Sequence, residues 1–188
     1  MIKNFRFLLL ITTTTLFGQS VQDFSALNVA DNKMVSLSNY QSCDGLVVLF
    51  TSNACPYDNY YTDRIHSLIE KYKGRIQFLL VNSFIEPKEN AKAMSAQYNK
   101  WKLAVPYLAD KEQVVMDCLD AKKSSEVFLL KRQNGSYSIF YQGAIDDNPQ
   151  VASDVSKAYL QENIENLLAQ RKATDNNTRP VGCTIRKK

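Results

Sequence analysis

The sequence predicts an α/β domain with a central mixed β-sheet flanked by helices, and three observations carry that prediction. Leu46-Val47-Val48-Leu49-Phe50 is a continuous apolar run, as in a strand buried on both faces; a second run, Ile76-Gln77-Phe78-Leu79-Leu80-Val81, follows it across a helical pattern. Arg132-Gln133-Asn134-Gly135-Ser136 separates two further strand-like stretches, and Asn-Gly is the strongest short hairpin signal a sequence offers. An amphipathic stretch from about Val151 to Gln170 closes the pattern. The order is βαβ, an inserted helical stretch, then ββα.

Residues 1–20 have the layout of a signal peptide. Lys3 and Arg6 precede an apolar core from Phe7 to Phe17, broken only by threonines, and Gly18-Gln19-Ser20 offers small residues for cleavage. That core, at roughly 11 residues, is too short for a bilayer, which needs about 20. The expectation is an exported product, periplasmic or otherwise extracytoplasmic, with no membrane span after cleavage. Removing Lys3 and Arg6 from the 23 basic residues leaves 21 against 19 acidic ones, a balance that argues against nucleic acid as a partner. Residues 21–170 suffice for one domain with its own core, and 171–188 form a separate tail.

Phe24 to Tyr40 reads as a small hairpin around Asp31-Asn32-Lys33, ahead of the main sheet. Thr51-Ser52-Asn53-Ala54-Cys55-Pro56 then leads from the central strand into a helix, because proline is favoured where a helix begins. Tyr61, Ile65, Leu68, Ile69 and Tyr72 share one face of that helix and Gly74 stops it. Lys88 to Lys102 is a second helix, with Ala91, Met94, Tyr98 and Trp101 inward; Val105 to Leu108 is extended. Glu112 to Ala121 is a third, its apolar face made of Val114, Val115, Cys118 and Leu119. Glu126 to Lys131 and Tyr137 to Tyr141 are the hairpin strands, and Val155, Tyr159, Ile164, Leu167 and Leu168 face inward on the last helix.

Four cysteines follow the signal segment. Cys55 sits at a helix N-terminus, where the macrodipole stabilises the thiolate and draws the pKa below the ordinary value of about 8.5. Cys43 lies in a turn and reads as structural; Cys118 reads as core. Cys183 lies in Pro180-Val181-Gly182-Cys183-Thr184-Ile185, an apolar block that a free tail has no use for, so the tail is expected to dock back and can bring Cys183 near Cys55. Four cysteines permit three full pairings, and sequence does not choose among them. His66 falls opposite the apolar face of its helix and reads as solvent-facing, while Asp146 and Asp147 read either as turn residues before Pro149 or as neighbours of the thiol.

The βαβ…ββα order together with Phe50-Thr51-Ser52-Asn53-Ala54-Cys55-Pro56-Tyr57, Tyr72-Lys73-Gly74, Gly143-Ala144-Ile145-Asp146-Asp147-Asn148-Pro149 and the Pro-Val-Gly-Cys-Thr-Ile block resembles the thioredoxin-like superfamily. The likeness is to its exported redoxin or peroxiredoxin-like (AhpC/TSA-related) branch. Relatives commonly carry Cys-x-x-Cys, but Ser52 stands where the first cysteine would be. Ser52-x-x-Cys55 instead resembles the Thr-x-x-Cys of peroxiredoxins, in which a hydroxyl bonds the thiolate. Relatives also place Thr-Pro before the third strand, where this chain has Ser124-Ser125-Glu126, and the peroxiredoxin arginine is missing there. The resemblance implies catalysis by Cys55 assisted by Ser52, with Cys183 as resolving thiol.

Three readings follow. In the first, Cys55 attacks a peroxide or a protein or small-molecule disulfide, and a thiol electron donor restores it. In the second, Cys55–Cys183 is a structural disulfide in a binding protein. A metal-binding module is the third; His66 alone, with no paired ligand spacing, argues against it, and no metal or other cofactor is expected. No phosphate loop, dinucleotide fingerprint or hydrolase triad is evident.

Overall fold

A computed structural model of the chain describes residues 20–188, so the signal-peptide reading of 1–20 falls outside the described residues except for Ser20. Among the described residues eight strands form one sheet: β1 (Ser20–Val21), β2 (Ser25–Asn28), β3 (Lys33–Ser36), β4 (Gly45–Phe50), β5 (Ile76–Asn82), β6 (Tyr107–Ala109), β7 (Val127–Gln133) and β8 (Ser136–Gly143). Their order is β1-β8-β7-β4-β5-β6-β2-β3. The βαβ unit makes β4 and β5 parallel, and β6 continues that pairing beside β5. β7 runs antiparallel to β4, so the sheet is mixed, as predicted. The N-terminal hairpin β2–β3 joins the sheet through β6.

Among the described residues four α-helices cover the sheet: α1 (Pro56–Lys71), α2 (Ala91–Trp101), α3 (Val114–Leu119) and α4 (Tyr159–Leu168). One core, on the α1, α2 and α4 side, gathers Val47, Leu49, Tyr61, Ile65, Phe78 and Ile164. The second, on the α3 side, gathers Leu46, Val48, Phe50, Val115 and Met116. Alternation along β4 sends successive side chains to opposite cores, which is why that strand is apolar at every position. Asn134 and Gly135 both adopt positive φ, as a two-residue hairpin turn of this hand requires. Among the described residues no helix is long and apolar enough to cross a membrane.

Three helix readings need correction. The last helix begins at Tyr159 rather than about Val151, because the side chains of Asp147 and Asn148 accept N–H bonds from Ser156, Gln150 and Val151 and fold 147–156 into a loop. Helix α2 starts at Ala91, capped by the Asn90 side chain, and Pro87–Glu89 forms a separate 3-10 turn. Helix α3 is shorter than expected, since Gln113 and Asp120 are both left-handed and bound it. Its first residue, Val114, is 50% exposed instead of inward, and Cys118 is half-buried at the margin of the second core instead of within it. The tail does dock: Thr184 bridges Lys123 antiparallel and Ile185 is 6% exposed in the second core.

Candidate active site

Strand β4 ends at Phe50, and the four residues after Thr51 turn the chain into α1. Cys55 is the N-cap with extended backbone, and Pro56 opens the helix, where its missing N–H costs nothing. Ser52 Oγ accepts the N–H groups of Ala54 and Cys55, each at 3.1 Å, and donates to Glu89 Oε1 at 2.7 Å. Glu89, brought in by the 3-10 turn after β5, also accepts Ala54 N–H (3.1 Å), Asn53 N–H (2.9 Å) and Asn82 Nδ2 (2.8 Å). A carboxylate only 1% exposed thus satisfies two of the backbone donors ahead of the helix, those of Asn53 and Ala54. Lys111 lies behind it: Nζ donates to Asn82 Oδ1 at 2.8 Å and to the carbonyls of Asn82 and Phe84. Burial pulls Lys111 down to about 8, against the opposing pull of Glu89, Asp110 and Glu86.

Asp58 is the second buried acid, 4% exposed and one turn into α1. Its carboxyl reaches back to accept Ser52 N–H at 2.9 Å and Ser125 Oγ at 2.7 Å. Burial pushes Asp58 up to about 7, helped by the charge of Glu89 and resisted by the bonds from Ser125, Ser52 and Ser124. A carboxyl balanced at neutral pH beside the start of α1 can hold or release a proton there.

The turn before β7 carries the tail. Ser125 N–H donates to Phe50 O at 2.7 Å, fixing this turn to the end of β4, and Ser125 takes a left-handed φ of 58°. Ser124 N–H donates to Cys183 O (2.8 Å), Cys183 N–H to Ser124 Oγ (3.0 Å) and Ile185 N–H to Lys122 O (2.9 Å). Gly182 permits this approach: a Cβ there would stand 2.0 Å from Ser124 O. The result is a disulfide between Cys55 and Cys183, S–S 2.14 Å with Cα atoms 5.9 Å apart, across a sequence separation of 128. Cys55 is 1% exposed and Cys183 half-buried.

The structure therefore brings Ser52, Cys55 and Cys183 together. His66 is exposed on α1, as expected. Of its two readings Asp146 takes that of a turn residue: it accepts the Asn148 N–H, and its other bonds go to Arg64 Nη1 at 2.6 Å and Tyr61 OH at 3.2 Å, farther along α1. Cys43 and Cys118 are free thiols elsewhere. Among the described residues no cluster of three or more histidine, cysteine, aspartate or glutamate side chains is suited to a metal ion. Sequence reasoning missed Asp58 and Glu89. The first had a legible signal, an acid three residues beyond Cys55 in the first helical turn; the second, 34 positions from the cysteine, had none.

Solved structures share this architecture. An uncharacterized conserved protein from Geobacillus kaustophilus is 23% identical, with a TM-score of 0.82 over 94% of each chain. Peroxidoxin BcpB from Mycobacterium tuberculosis is 15% identical, with a TM-score of 0.59 over 82% of this chain and 97% of its own. A thiol-disulfide oxidoreductase from Bacteroides fragilis is 16% identical, with a TM-score of 0.55 over 66% of this chain and 89% of its own. At such identities the likeness is one of fold, the thioredoxin-like fold predicted above. No curated protein sequence is similar enough to match. Residues 17–147, most of the domain and both acids of the site, match the AhpC/TSA family, and the chain belongs to that family.

Proposed function

We propose that the protein is a thiol-dependent oxidoreductase whose Cys55 and Cys183 alternate between a dithiol and a disulfide. The observation that carries this reading is the bond itself, which joins the N-cap of a 16-residue helix to a docked tail one turn from a carboxyl balanced near pH 7. Cys55, as thiolate, attacks one sulfur of a substrate disulfide and expels the other as a thiol; Cys183 then attacks Cys55, releases the substrate's second thiol and leaves the intramolecular bond. The substrate gains two electrons that the cysteine pair loses, and an external thiol donor returns them. Asp58 takes and returns the Cys55 proton, and Ser52 acts as a positioning residue by fixing the loop.

Attack on a peroxide is the second substrate option: it yields a Cys55 sulfenic acid that condenses with Cys183, releasing water. The surroundings favour the disulfide. Ser52 spends its hydroxyl proton on Glu89 Oε1 at 2.7 Å and so has none to give a bound peroxide. Export to an oxidising compartment, proposed from the layout of 1–20, suits a resting disulfide.

Disulfide mapping by mass spectrometry tests the cycle. Reduced protein treated with one equivalent of hydroxyethyl disulfide, or of hydrogen peroxide, should regain the Cys55–Cys183 bond, faster with the former. The burial of Cys55 favours one rival, a structural staple in a binding protein. That rival gains if redox-buffer equilibration places the bond below about −300 mV and neither oxidant re-forms it within minutes.

A further inference from the structure

Behind the loop that delivers Cys55 runs a buried polar chain, and it ends in a lysine to which the cycle assigns no part. Lys111 follows β6, and its Nζ donates to Asn82 Oδ1 at 2.8 Å, to Phe84 O at 2.8 Å and to Asn82 O at 3.1 Å. All three ammonium donors go to uncharged oxygens. An ammonium accepts nothing, so Lys111 meets only the oxygen of the Asn82 amide, and the Phe84 N–H holds the same oxygen at 3.1 Å. The amide nitrogen of Asn82, a fully buried residue, is thereby turned the other way, to Glu89 Oε2 at 2.8 Å and Tyr107 OH at 3.0 Å. Both arms end on the loop. Glu89 accepts the Asn53 and Ala54 N–H groups and the Ser52 hydroxyl, and Tyr107 OH donates to Asn53 Oδ1 at 2.9 Å. Ser52 Oγ in turn accepts the Cys55 N–H. One charged side chain therefore fixes, through one asparagine, the residues that carry Cys55 into α1.

The same chain sets the charges around the sulfur. A thiolate at Cys55 adds a third negative group to two buried acids, Asp58 and Glu89. The Asn53, Ala54 and Cys55 N–H groups, which would otherwise serve it, are committed to Glu89 and Ser52. Lys111 is the cation built into this network. The charged groups that act on it are Glu89 and Glu86 from the turn after β5 and Asp110 from its own loop, and Asp110 is committed to Ser83 Oγ and the Val115 and Met116 N–H groups. We propose that Lys111 is a positioning residue of the reduced site: through Asn82 and Glu89 it holds the 52–55 loop, and its charge offsets the acids against which the Cys55 thiolate forms. This rests on the dithiol–disulfide cycle proposed above. Reduction by the external thiol donor adds two electrons to the Cys55–Cys183 bond. Cys183 takes one proton; Cys55 stays a thiolate or takes a second, and Lys111 bears on that second proton. With the cation in place the thiolate, the attacking species, is favoured and the bond is easier to reduce. Burial draws Lys111 down to about 8, so its support fades as pH rises through that value.

The test replaces the cation and follows the sulfur. In the reduced full chain with Lys111→Met, the pH at which alkylation of Cys55 by iodoacetamide reaches half its plateau should rise by about one unit, the loss of a neighbouring positive charge, read by mass spectrometry of the Cys55 peptide. Equilibration with glutathione at pH 7 should favour the disulfide about tenfold more than in the native chain, a shift of about 30 mV. Lys111→Arg keeps the charge and the donors and should return both readings toward native. Lowered stability in urea, with the alkylation midpoint and the glutathione equilibrium unchanged, would overturn the proposal and make Lys111 a structural residue while the cycle stands. Linkage supplies a second measurement that leaves Lys111 in place, since what the lysine does for the thiolate the thiolate does for the lysine. In reduced protein carrying carbon-13 lysine, the Lys111 Cε signal should titrate about one unit higher in the native chain than in Cys55→Ser, the same coupling read from the other side. Equal midpoints would overturn the proposal even where Lys111→Met does not fold. The cycle fails separately, if reduced native protein with a native circular dichroism spectrum does not re-form its bond with hydroxyethyl disulfide; the two lysine midpoints then still decide whether Lys111 supports the thiolate.

Discussion

Two pairs of cysteines share this molecule and meet very different surroundings. Cys43 and Cys118 are half-buried free thiols at the margins, one in a turn and one on the short helix α3. Burial pushes the Cys118 thiol up, with a nearby Asp23 charge adding to it and the Gln22 carbonyl contact opposing, which keeps it protonated and inert. Cys55 is more buried than either, yet it stands at the head of a 16-residue helix and faces a sulfur delivered by the tail. In the proposed cycle, reactivity therefore follows from the helix start and the docked partner rather than from exposure. The contrast also shows the cost of that arrangement: Asp58, three residues beyond Cys55, and Glu89, which bonds the loop ahead of it from a distant turn, are both buried acids.

The largest test of the contrast is removal of the tail's sulfur. Cys183→Ala abolishes a cross-link spanning 128 residues, worth about 5 kcal/mol in the chain-entropy view. The observed loss in urea should be somewhat smaller, because backbone bonds to Lys122 and Ser124 and the burial of Ile185 persist. A loss under about 1 kcal/mol would mean that the bond constrains little and that the two cysteine pairs differ less than their surroundings suggest.

Asp58 provides the next test, and its sign is fixed by the direction of its shift. Its carboxyl ionises near 3.8 in the unfolded chain and near 7 in the folded one. Between those values the unfolded state binds fewer protons, so stability falls as pH rises; above 7 the penalty is complete, and below 3.8 it vanishes. Relative to Asp58→Asn, the native protein should lose about 4 kcal/mol from pH 3.5 to pH 8, measured by urea unfolding of the oxidised form. Parallel curves for the two proteins would show that the acid is solvated after all.

Much of the frame was legible in the sequence. An apolar run feeding Cys55-Pro56 specified strand β4 and the start of α1, because strand burial and the proline preference are local rules. The docked tail was legible too, since Cys183 and Ile185 would be wasted in solvent. What escaped was the set of side chains that reach the site from other elements. Glu89 arrives on a turn that local propensity merges into the following helix, and nothing in Pro87-Lys88-Glu89 distinguishes a buried acid from a solvated one. The helical spacing of Val151 and Val155 predicts helix from about Val151, but Asp147 and Asn148 override that spacing by capturing the N–H groups themselves.

Ser52→Ala sharpens the comparison at a smaller scale. The substitution removes one acceptor for the Ala54 and Cys55 N–H groups while Glu89 still serves Ala54, so only the Cys55 donor is orphaned. A cost of about 1 to 2 kcal/mol is expected, in the range of a lost N-cap bond, together with slower re-formation of the Cys55–Cys183 bond. Unchanged kinetics with lowered stability would make Ser52 purely structural.

The smallest effect belongs to the other pair. Cys118 is half-buried, and its side chain makes a single weak polar contact among the described residues, Sγ to Gln22 O at 3.4 Å. Cys118→Ala deletes one sulfur at the edge of the second core, where neighbours can relax into the space, so the cost should stay near or below about 1 kcal/mol. The midpoint potential of Cys55–Cys183 should not move, because α3 meets the tail through the Ile185 hole and Cys118 is peripheral to it. A shifted potential would mean that the packing of α3 sets how firmly the tail presents Cys183, and the two pairs of cysteines would then be coupled rather than merely different.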